Sequence, residues 1–180
     1  HFPEGVSLVQ GDEGSGKTSL LRLLAGDVPA DAGRLLIAGI DLDRDAARYR
    51  ALVFRTEPQS ELPQQLTPRQ WLAGLRSRYP GFDLAAVAAL VAQLHLQEHQ
   101  DKPLFMLSTG SRRKVWLVAA LASGAALTLV DQPFAALDKT SIVAAVGLIR
   151  TASAAPGRAW VIADYAAPHG LMLAQTLVLD

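Results

Sequence analysis

The stretch GDEGSGKT, which begins at Gly11, has residue types and spacing that can bind phosphate. Gly11, Gly14 and Gly16 let the backbone wrap closely around an anion, with its amide N–H groups pointing inward. The ammonium of Lys17 can then reach the β- and γ-phosphates of a nucleoside triphosphate, and the hydroxyl of Thr18 can bind Mg²⁺. The complete pattern G-x-x-x-x-G-K-[ST] therefore predicts an ATP site with Mg²⁺, and a chance glycine turn is a weak alternative.

The other residues of this stretch belong to the same predicted site. Asp12, Glu13 and Ser15 contribute backbone N–H groups to the phosphate-binding loop, and Ser19 lies at the start of the helix that follows. The positive end of that helix dipole favours a bound anion. The apolar segment VSLVQ directly before the loop is typical of a buried strand, so the loop has the strand and helix context that its motif requires.

A second apolar segment, ALTLV, is followed directly by Asp131. Ligands of open α/β sheets bind at the carboxyl ends of strands, and a carboxylate there can hold Mg²⁺ through a water molecule. An apolar segment that ends in Asp is common, but beside the phosphate-binding loop it indicates a second magnesium-binding residue. The next residue is Gln132, whose amide can position a water molecule but cannot take up its proton.

Strands and helices alternate along the chain in a way that predicts an α/β fold. Further strand patterns are RLLIAG, ALVF, AWVIA and TLVLD, and helical patterns cover residues 112–122 and 140–152. This alternation favours a mostly parallel sheet with helices on both faces. Residues 67–107 carry helical patterns alone, with Thr67 and Asp83 as N-caps, and are predicted to form a helical insertion.

Composition limits the classes of function. The 180 residues are half hydrophobic and carry a formal net charge of zero, which gives no argument for a nucleic-acid partner. The sequence has no cysteine, which excludes disulfides, and no apolar run approaches the roughly 20 residues of a membrane span.

The start, HFPEG, has neither a Met nor a signal peptide, and we expect a trimmed fragment. The charged run from Asp41 to Arg48 is expected to be solvated surface.

Four segments resemble the ATP-binding cassette (ABC) proteins, in the order in which that family has them. LSTGSRRKVWLVAAL, from Leu107, resembles the LSGGQ signature region, and FAALD, from Phe134, resembles the D-loop. LTPRQWL resembles the opening of the family's helical subdomain, and PADAGRLLIAG resembles a stretch that follows the phosphate-binding loop. The resemblance implies a single domain, with a P-loop NTPase core at residues 1–66 and 111–180 and an inserted all-helical ABC subdomain at about 67–110.

The signature region suggests a second subunit. Ser108 and Gly110 stand at a helix start, where hydroxyl and backbone N–H groups can bind phosphate. Arg112, Arg113 and Lys114 follow, and three cations together suggest a strongly negative partner, although a solvated basic face is the ordinary interpretation of each one alone. In ABC proteins that partner is the triphosphate bound to another subunit. The resemblance therefore implies a homodimer, or a heterodimer with another ABC cassette, that buries two ATP molecules.

The catalytic positions depart from the family pattern. Gln132 stands where ABC proteins have the glutamate that polarises the attacking water. After the strand AWVIAD, Tyr165 stands where the family has the switch histidine that contacts the γ-phosphate, and we interpret His169 as an ordinary loop residue. We assign Gln132 and Tyr165 as the catalytic positions. Hydrolysis is expected to be slow, because loss of a positioned general base costs about 10²–10⁴-fold in rate.

Two further departures lie outside the catalytic pair. Thr109 and Ser111 replace the Gly and Gln of the signature, and the β-branched Thr109 adds bulk where the backbone approaches phosphate. The Q-loop glutamine after ALVF is replaced by Arg55, and Gln59 could serve if that loop is shifted. The residues that bind Mg-ATP are intact, so ATP binding is the part of the function that the sequence predicts directly.

The resemblance implies the ATP-binding subunit of an ABC transporter, which couples ATP binding and slow hydrolysis to transport by separate membrane permease subunits. Such a subunit would be cytoplasmic and peripheral on the inner face of the cell membrane. It would dock the permease at the cleft near Arg55 to Gln65. The alternative is a regulatory, ATP-sensing cassette that barely hydrolyses ATP and has no part in transport. Cassettes of translation or DNA repair are a third class, but they usually carry tandem cassettes or long coiled coils.

Overall fold

The computed structural model describes residues 1–56 and 62–180, which form an α/β fold. Its strands are β1 (Gly5–Gln10), β2 (Leu36–Ile37), β3 (Ile40–Asp41), β4 (Val53–Thr56), β5 (Leu127–Asp131), β6 (Ala159–Asp164) and β7 (Gln175–Val178). Its helices are α1 (Lys17–Leu24), α2 (Ala46–Ala51), α3 (Pro68–Gly74), α4 (Leu84–Gln93), α5 (Thr109–Ala122) and α6 (Lys139–Ser153). Short 3₁₀ turns lie at Leu75–Ser77, Gln97–His99 and Leu104–Met106.

Five strands form one parallel sheet in the order β4-β5-β6-β1-β7. In its register Gln10 pairs with Asp164, and Asp131 pairs with Ala163, so the carboxyl ends of β1, β6 and β5 lie side by side. The predicted parallel sheet is confirmed. The phosphate-binding loop begins directly after β1, and Asp131 is the last residue of β5. Both therefore lie at this edge of the sheet.

Helices cover both faces of the sheet. On one face, Leu21 of α1 packs in a core with Leu129 and Val161. On the other face, Ile149 of α6 and residues of α5 pack in a core with Trp160. Because successive side chains of a strand point to opposite faces, neighbours such as Trp160 and Val161 belong to different cores. The longest described helix, α6, has 15 residues, and none in the described chain has the length and apolar character needed to cross a membrane.

The segment from 67 to 107 contains helices and turns but no strand in the structure. The Thr67 hydroxyl accepts the Gln70 N–H at 3.2 Å, and the Gln70 side chain accepts the Thr67 N–H at 3.0 Å. The Asp83 carboxylate accepts the Ala86 N–H at 3.0 Å at the start of α4. Both predicted N-caps are confirmed. The boundaries of a core and a helical subdomain stay a prediction.

The predicted strand RLLIAG is wrong in extent. Only Leu36 and Ile37 are extended, and they pair with β3 in a short antiparallel hairpin. Ala38 and Gly39 both have positive φ, at 49° and 79°, so the chain turns back immediately. Two successive positive φ values are typical of a two-residue hairpin turn, which ends a strand.

The interpretation of the charged run as solvated surface is only partly correct. Asp41 is 6% exposed and accepts hydrogen bonds from the guanidinium of Arg34. The Asp45 carboxylate accepts the Arg48 N–H at 3.1 Å and caps α2, a helix that the sequence patterns did not predict. Tyr49 of this helix is 1% exposed. The run therefore folds because one carboxylate caps a helix and an aromatic residue is buried.

Candidate functional site

The phosphate-binding loop connects β1 to α1 and depends on its glycines. Gly14 and Gly16 have φ values of 82° and 91°, in the left-handed region that favours glycine. At Gly11, an added Cβ would lie 2.4 Å from Ser15 Oγ and 2.7 Å from the Leu179 carbonyl oxygen. Gly16 is the N-cap of α1 and no side chain caps this helix, so the first N–H groups of α1 can bind an anion.

Lys17 is buried inside the loop. It is 6% exposed, and its Nζ donates to the carbonyl oxygens of Gly11 at 2.7 Å and Asp12 at 2.5 Å. Ser15 Oγ is buried nearby and has no hydrogen-bond partner among the described residues. A phosphate group accepts hydrogen bonds from hydroxyl, ammonium and backbone donors, so this set of donors fits one. Other residues of the predicted site are exposed: Asp12, Glu13, Gly14 and Ser19.

The two predicted magnesium ligands contact each other. Thr18 Oγ1 donates to Asp131 Oδ2 at 2.5 Å, and Asp131 is 2% exposed. No group of three or more His, Cys, Asp or Glu residues in the described chain is placed to hold a metal. Mg²⁺ prefers oxygen ligands and is usually held by one or two protein groups together with water and phosphate oxygens. A hydroxyl and a carboxylate beside the loop fit that coordination.

Gln132 leaves β5 in the left-handed conformation, with φ of 46°. Its N–H donates to the Ala163 carbonyl at 2.8 Å, and its own carbonyl accepts from Arg113 Nη1 at 2.8 Å. Burial lowers the pKa of Arg113, whereas the charges of Asp131 and Asp164 act in the opposite direction. These contacts hold the main chain at Gln132 and do not involve its amide side chain.

Tyr165 and Asp164 lie at the end of β6. The Tyr165 ring is 4.8 Å from Lys17 Nζ, which is within cation–π range. Asp164 Oδ1 accepts the Tyr165 N–H at 2.8 Å. Burial raises the pKa of Asp164 and the charge of Asp131 raises it further, while Lys17 and Arg113 lower it. Sequence reasoning missed Asp164, although an acid that ends a buried strand is the signal that identified Asp131.

The signature region packs against the segment that resembles the D-loop. Ser108 is the N-cap of α5, and its Oγ accepts the Ser111 N–H at 3.1 Å. An added Cβ on Gly110 would lie 2.6 Å from the carbonyl oxygen of Ala136. The roles of Ser108 and Gly110 toward a second subunit stay predictions.

The three cations of the signature region have partners in their own chain. Arg112 Nε donates to the carbonyl oxygens of Leu104 and Leu107, both at 3.1 Å. Arg113 donates to the main chain after β5, and Lys114 Nζ lies 3.8 Å from Asp138 Oδ2. The sequence-based argument that these cations together meet a strongly negative partner therefore loses its basis.

A cavity of about 250 Å³ lies where β4 and α2 face Trp116 of α5. Arg50, Arg55 and Arg78 line it, together with Asp27, which accepts from Arg55 Nε at 2.7 Å. Arg55 occupies the position of the family's Q-loop glutamine, so an ion pair with Asp27, three residues after the last residue of α1, stands where the family has an amide. Gln59, the other Q-loop candidate, lies outside the described residues. His169 is exposed in a loop.

A phosphate-binding loop between a parallel strand and a helix, with Asp131 on a strand of the same sheet, defines a P-loop nucleotide-binding fold. The family model described as ABC transporter matches residues 3–135. The chain belongs to the ABC transporter family.

Individual relatives agree with this assignment. The cytochrome c biogenesis ATP-binding export protein CcmA of Yersinia pestis bv. Antiqua (strain Nepal516) is 34% identical over 140 residues, which cover 78% of this chain and 64% of the relative. The putrescine transport ATP-binding protein PotG of Escherichia coli (strain K12) is 31% identical over 131 residues, which cover 72% of this chain and 35% of PotG. This chain thus spans less than two thirds of the length of these relatives.

Solved structures share the fold. An ABC transporter ATP-binding protein from Pyrococcus furiosus, described as putative, superposes with a TM-score of 0.80 at 19% identity, covering 97% of this chain and 84% of that chain. A bacterial Atm1-family ABC exporter with ATP bound gives a TM-score of 0.81 at 23% identity, covering 98% of this chain and 32% of that chain. The predicted P-loop NTPase fold is confirmed.

Proposed function

We propose that this chain is the ATP-binding subunit of an ABC transporter. The observation that carries the proposal is the arrangement of Lys17 in a glycine loop with Thr18 in contact with Asp131. Lys17 and the N–H groups at the start of α1 hold the phosphates, while Thr18 and Asp131 hold Mg²⁺. Mg²⁺ held by these two residues would offset the negative charge that develops on the phosphate oxygens.

Slow ATP hydrolysis is part of the proposal. Gln132 is held by its main chain at the edge next to Asp131, where its amide can orient a water molecule. An amide cannot accept the proton of that water, so turnover that depends on Gln132 alone is expected to be low. Tyr165 lies at the same edge of the sheet, where its ring contacts Lys17. In this proposal it takes the position of the family's switch histidine.

A second ABC cassette completes the site in this proposal. Ser108 is exposed and Gly110 is partly exposed at the start of α5, so both are accessible to another subunit. The dimer brings this helix start to the phosphates that the other chain binds, because helix N-termini favour anions. A homodimer and a heterodimer satisfy this geometry equally.

Membrane permease subunits are the proposed partners in transport. The arginine-lined cavity near Arg55 is where we place their contact with this chain, since it adjoins the cleft that the resemblance to ABC proteins implies. The chain then lies on the cytoplasmic face of the membrane as a peripheral subunit. The names of the relatives, which describe export and transport, support this function over a regulatory ATP-sensing cassette.

Equilibrium dialysis of the chain with ATP and Mg²⁺ tests the proposal. Lys17→Ala removes the buried ammonium and is expected to weaken ATP binding about 10- to 100-fold, because hydrogen bonds to charged groups contribute roughly 1.5–3 kcal/mol. Lys102→Ala, at an exposed lysine of the helical segment, is the matched control and should bind ATP normally. ATP binding that is equal in both variants, or absent from the unmodified chain, would refute the proposed site.

A membrane partner gives the second arm of this test. Co-purification with a multi-span membrane protein encoded beside this chain supports transport. An ATP-binding chain that associates with no membrane protein, even when both are co-expressed, supports the regulatory alternative.

A further inference from the structure

Asp164 stands between the two halves of the proposed site. It ends β6, which lies between the strand of the phosphate-binding loop and the strand of Asp131. On one side Asp164 pairs with Gln10, the last residue before the loop. On the other side, the Gln132 N–H donates to the Ala163 carbonyl at 2.8 Å, so Gln132 leaves its strand next to Asp164. The sheet order alone therefore brings a carboxylate to the position flanking Gln132.

The charged groups around Asp164 are those of the same site. Its carboxyl group interacts electrostatically with Asp131, with the ammonium of Lys17 and with the guanidinium of Arg113. The next residue, Tyr165, has its ring 4.8 Å from Lys17 Nζ. Asp164 is partly buried, so it is neither an ordinary surface acid nor closed off from a ligand at the loop.

We propose that Asp164 is a catalytic residue of ATP hydrolysis in this chain and supplies the carboxylate that position 132 lacks. The proposal rests on the ATP binding and hydrolysis proposed above. In this proposal, two neighbouring side chains share the role that one glutamate has in other ABC proteins. Gln132 orients the water molecule through its amide, and Asp164 takes up the proton.

The bond changes are those of a hydrolysis. The oxygen of the water attacks the γ-phosphorus and forms a new P–O bond. The bond from that phosphorus to the bridging oxygen breaks, and its electron pair leaves with ADP. One proton of the water passes to the Asp164 carboxylate, which later releases it to solvent. Lys17 stabilises the charge on the phosphate oxygens throughout.

Asp164→Asn separates a catalytic role from a structural one. Asparagine keeps an oxygen that can accept the Tyr165 N–H, so the turn after β6 is preserved, but an amide cannot take up a proton. Gln132→Glu, alone and combined with Asp164→Asn, restores a carboxylate next to the vacated one. Asp43→Asn, at an exposed aspartate, is the matched control. The measurements are phosphate release, ATP affinity by equilibrium dialysis, and the identity of the nucleotide recovered from the protein.

Asp164→Asn is expected to lower phosphate release about 10²-fold or more. Its ATP affinity should stay close to that of the unmodified chain, and the recovered nucleotide should be ATP instead of ADP. Adding Gln132→Glu to this variant should restore phosphate release, and Asp43→Asn should change nothing.

Three results would overturn the role of Asp164 and leave ATP binding intact: normal turnover in Asp164→Asn, no turnover in the unmodified chain although ATP binds, or no recovery on adding Gln132→Glu. An unmodified chain that binds no ATP would instead refute the proposed function itself.

Discussion

Gly110→Ala tests the close packing of the signature region on the D-loop segment. An added Cβ at this position would lie 2.6 Å from the Ala136 carbonyl oxygen, whereas real Cβ atoms essentially never approach within 3.0 Å. The backbone must therefore move by at least about 0.4 Å at one of the two sites. Ala136 is held at a φ of 62°, so the segment that has to move is already in a conformation unusual for alanine.

The size of the effect is isolated by Gly147→Ala, the same substitution in α6. An added Cβ at Gly147 meets no atom of the described residues within 4 Å. Alanine stabilises a helix by roughly 0.8–1 kcal/mol relative to glycine, and Gly147→Ala should gain about that amount. Gly110 is the second residue of α5, so Gly110→Ala has at most the same helical gain, and overpacking of roughly 1–3 kcal/mol opposes it. The difference between the variants is therefore mainly the cost of overpacking.

Thermal unfolding followed by circular dichroism is the assay. A domain of this length shifts its Tm by about 2–4 °C per kcal/mol, so Gly147→Ala should unfold above the unmodified chain and Gly110→Ala several degrees below Gly147→Ala. ATP binding should persist in Gly147→Ala, because this position lies outside every segment proposed to contact ATP. If Gly110→Ala raises the Tm as much as Gly147→Ala does, the close approach to Ala136 is wrong.

Two further predictions concern a hydroxyl and a buried carboxylate. Thr18→Val keeps the shape of the side chain but removes the hydroxyl, which contacts Asp131 and is a proposed Mg²⁺ ligand. In dialysis with and without EDTA, the increase in ATP affinity that Mg²⁺ causes should therefore fall about tenfold, or ~1.4 kcal/mol. An unchanged magnesium effect would exclude Thr18 as a ligand. Hydrogen bonds from Arg34 and the Asp43 N–H hold the pKa of Asp41 below its ordinary value. The Asp41 carboxylate therefore stabilises the fold at pH values above its ordinary pKa, and this stabilisation is lost as the pH falls through the lowered pKa. Asp41→Asn should therefore lower the Tm at pH 7 but much less in acid, and an equal decrease at both pH values would contradict the ion pair.

The phosphate-binding loop and the parallel sheet were predictable from the sequence because each depends on local patterns. The loop needs glycines at fixed spacing, and buried parallel strands appear as short apolar runs between helices. The two helix N-caps, Thr67 and Asp83, were predictable for the same reason, since a capping side chain contacts a residue three positions away. Such signals survive in a single sequence without knowledge of the fold.

The features that the sequence did not predict depend on contacts between distant residues. Arg113 was interpreted with its neighbours as part of a basic cluster, but it donates to a carbonyl 19 positions away. Helix α2 has six residues, and its formation depends on the burial of Tyr49, whose hydroxyl donates to the Leu24 carbonyl 25 positions earlier. Asp164 ends an apolar strand as Asp131 does, but its place beside Gln132 follows only from the strand order, in which β6 lies between β5 and β1.

The residues that bind phosphate and those that would cleave it are constrained differently by the fold. The positive φ of Gly14 and Gly16 and the crowding at Gly11 tie phosphate binding to the backbone, so substitutions there change the loop itself. At Gln132 the described hydrogen bonds involve only the main chain, and at Asp164 an asparagine could make the same bond to the next residue. Side chains at these strand ends can therefore be exchanged at little cost in stability. A carboxylate can thus be lost at one strand end and gained at the neighbouring one while the ATP site keeps its shape.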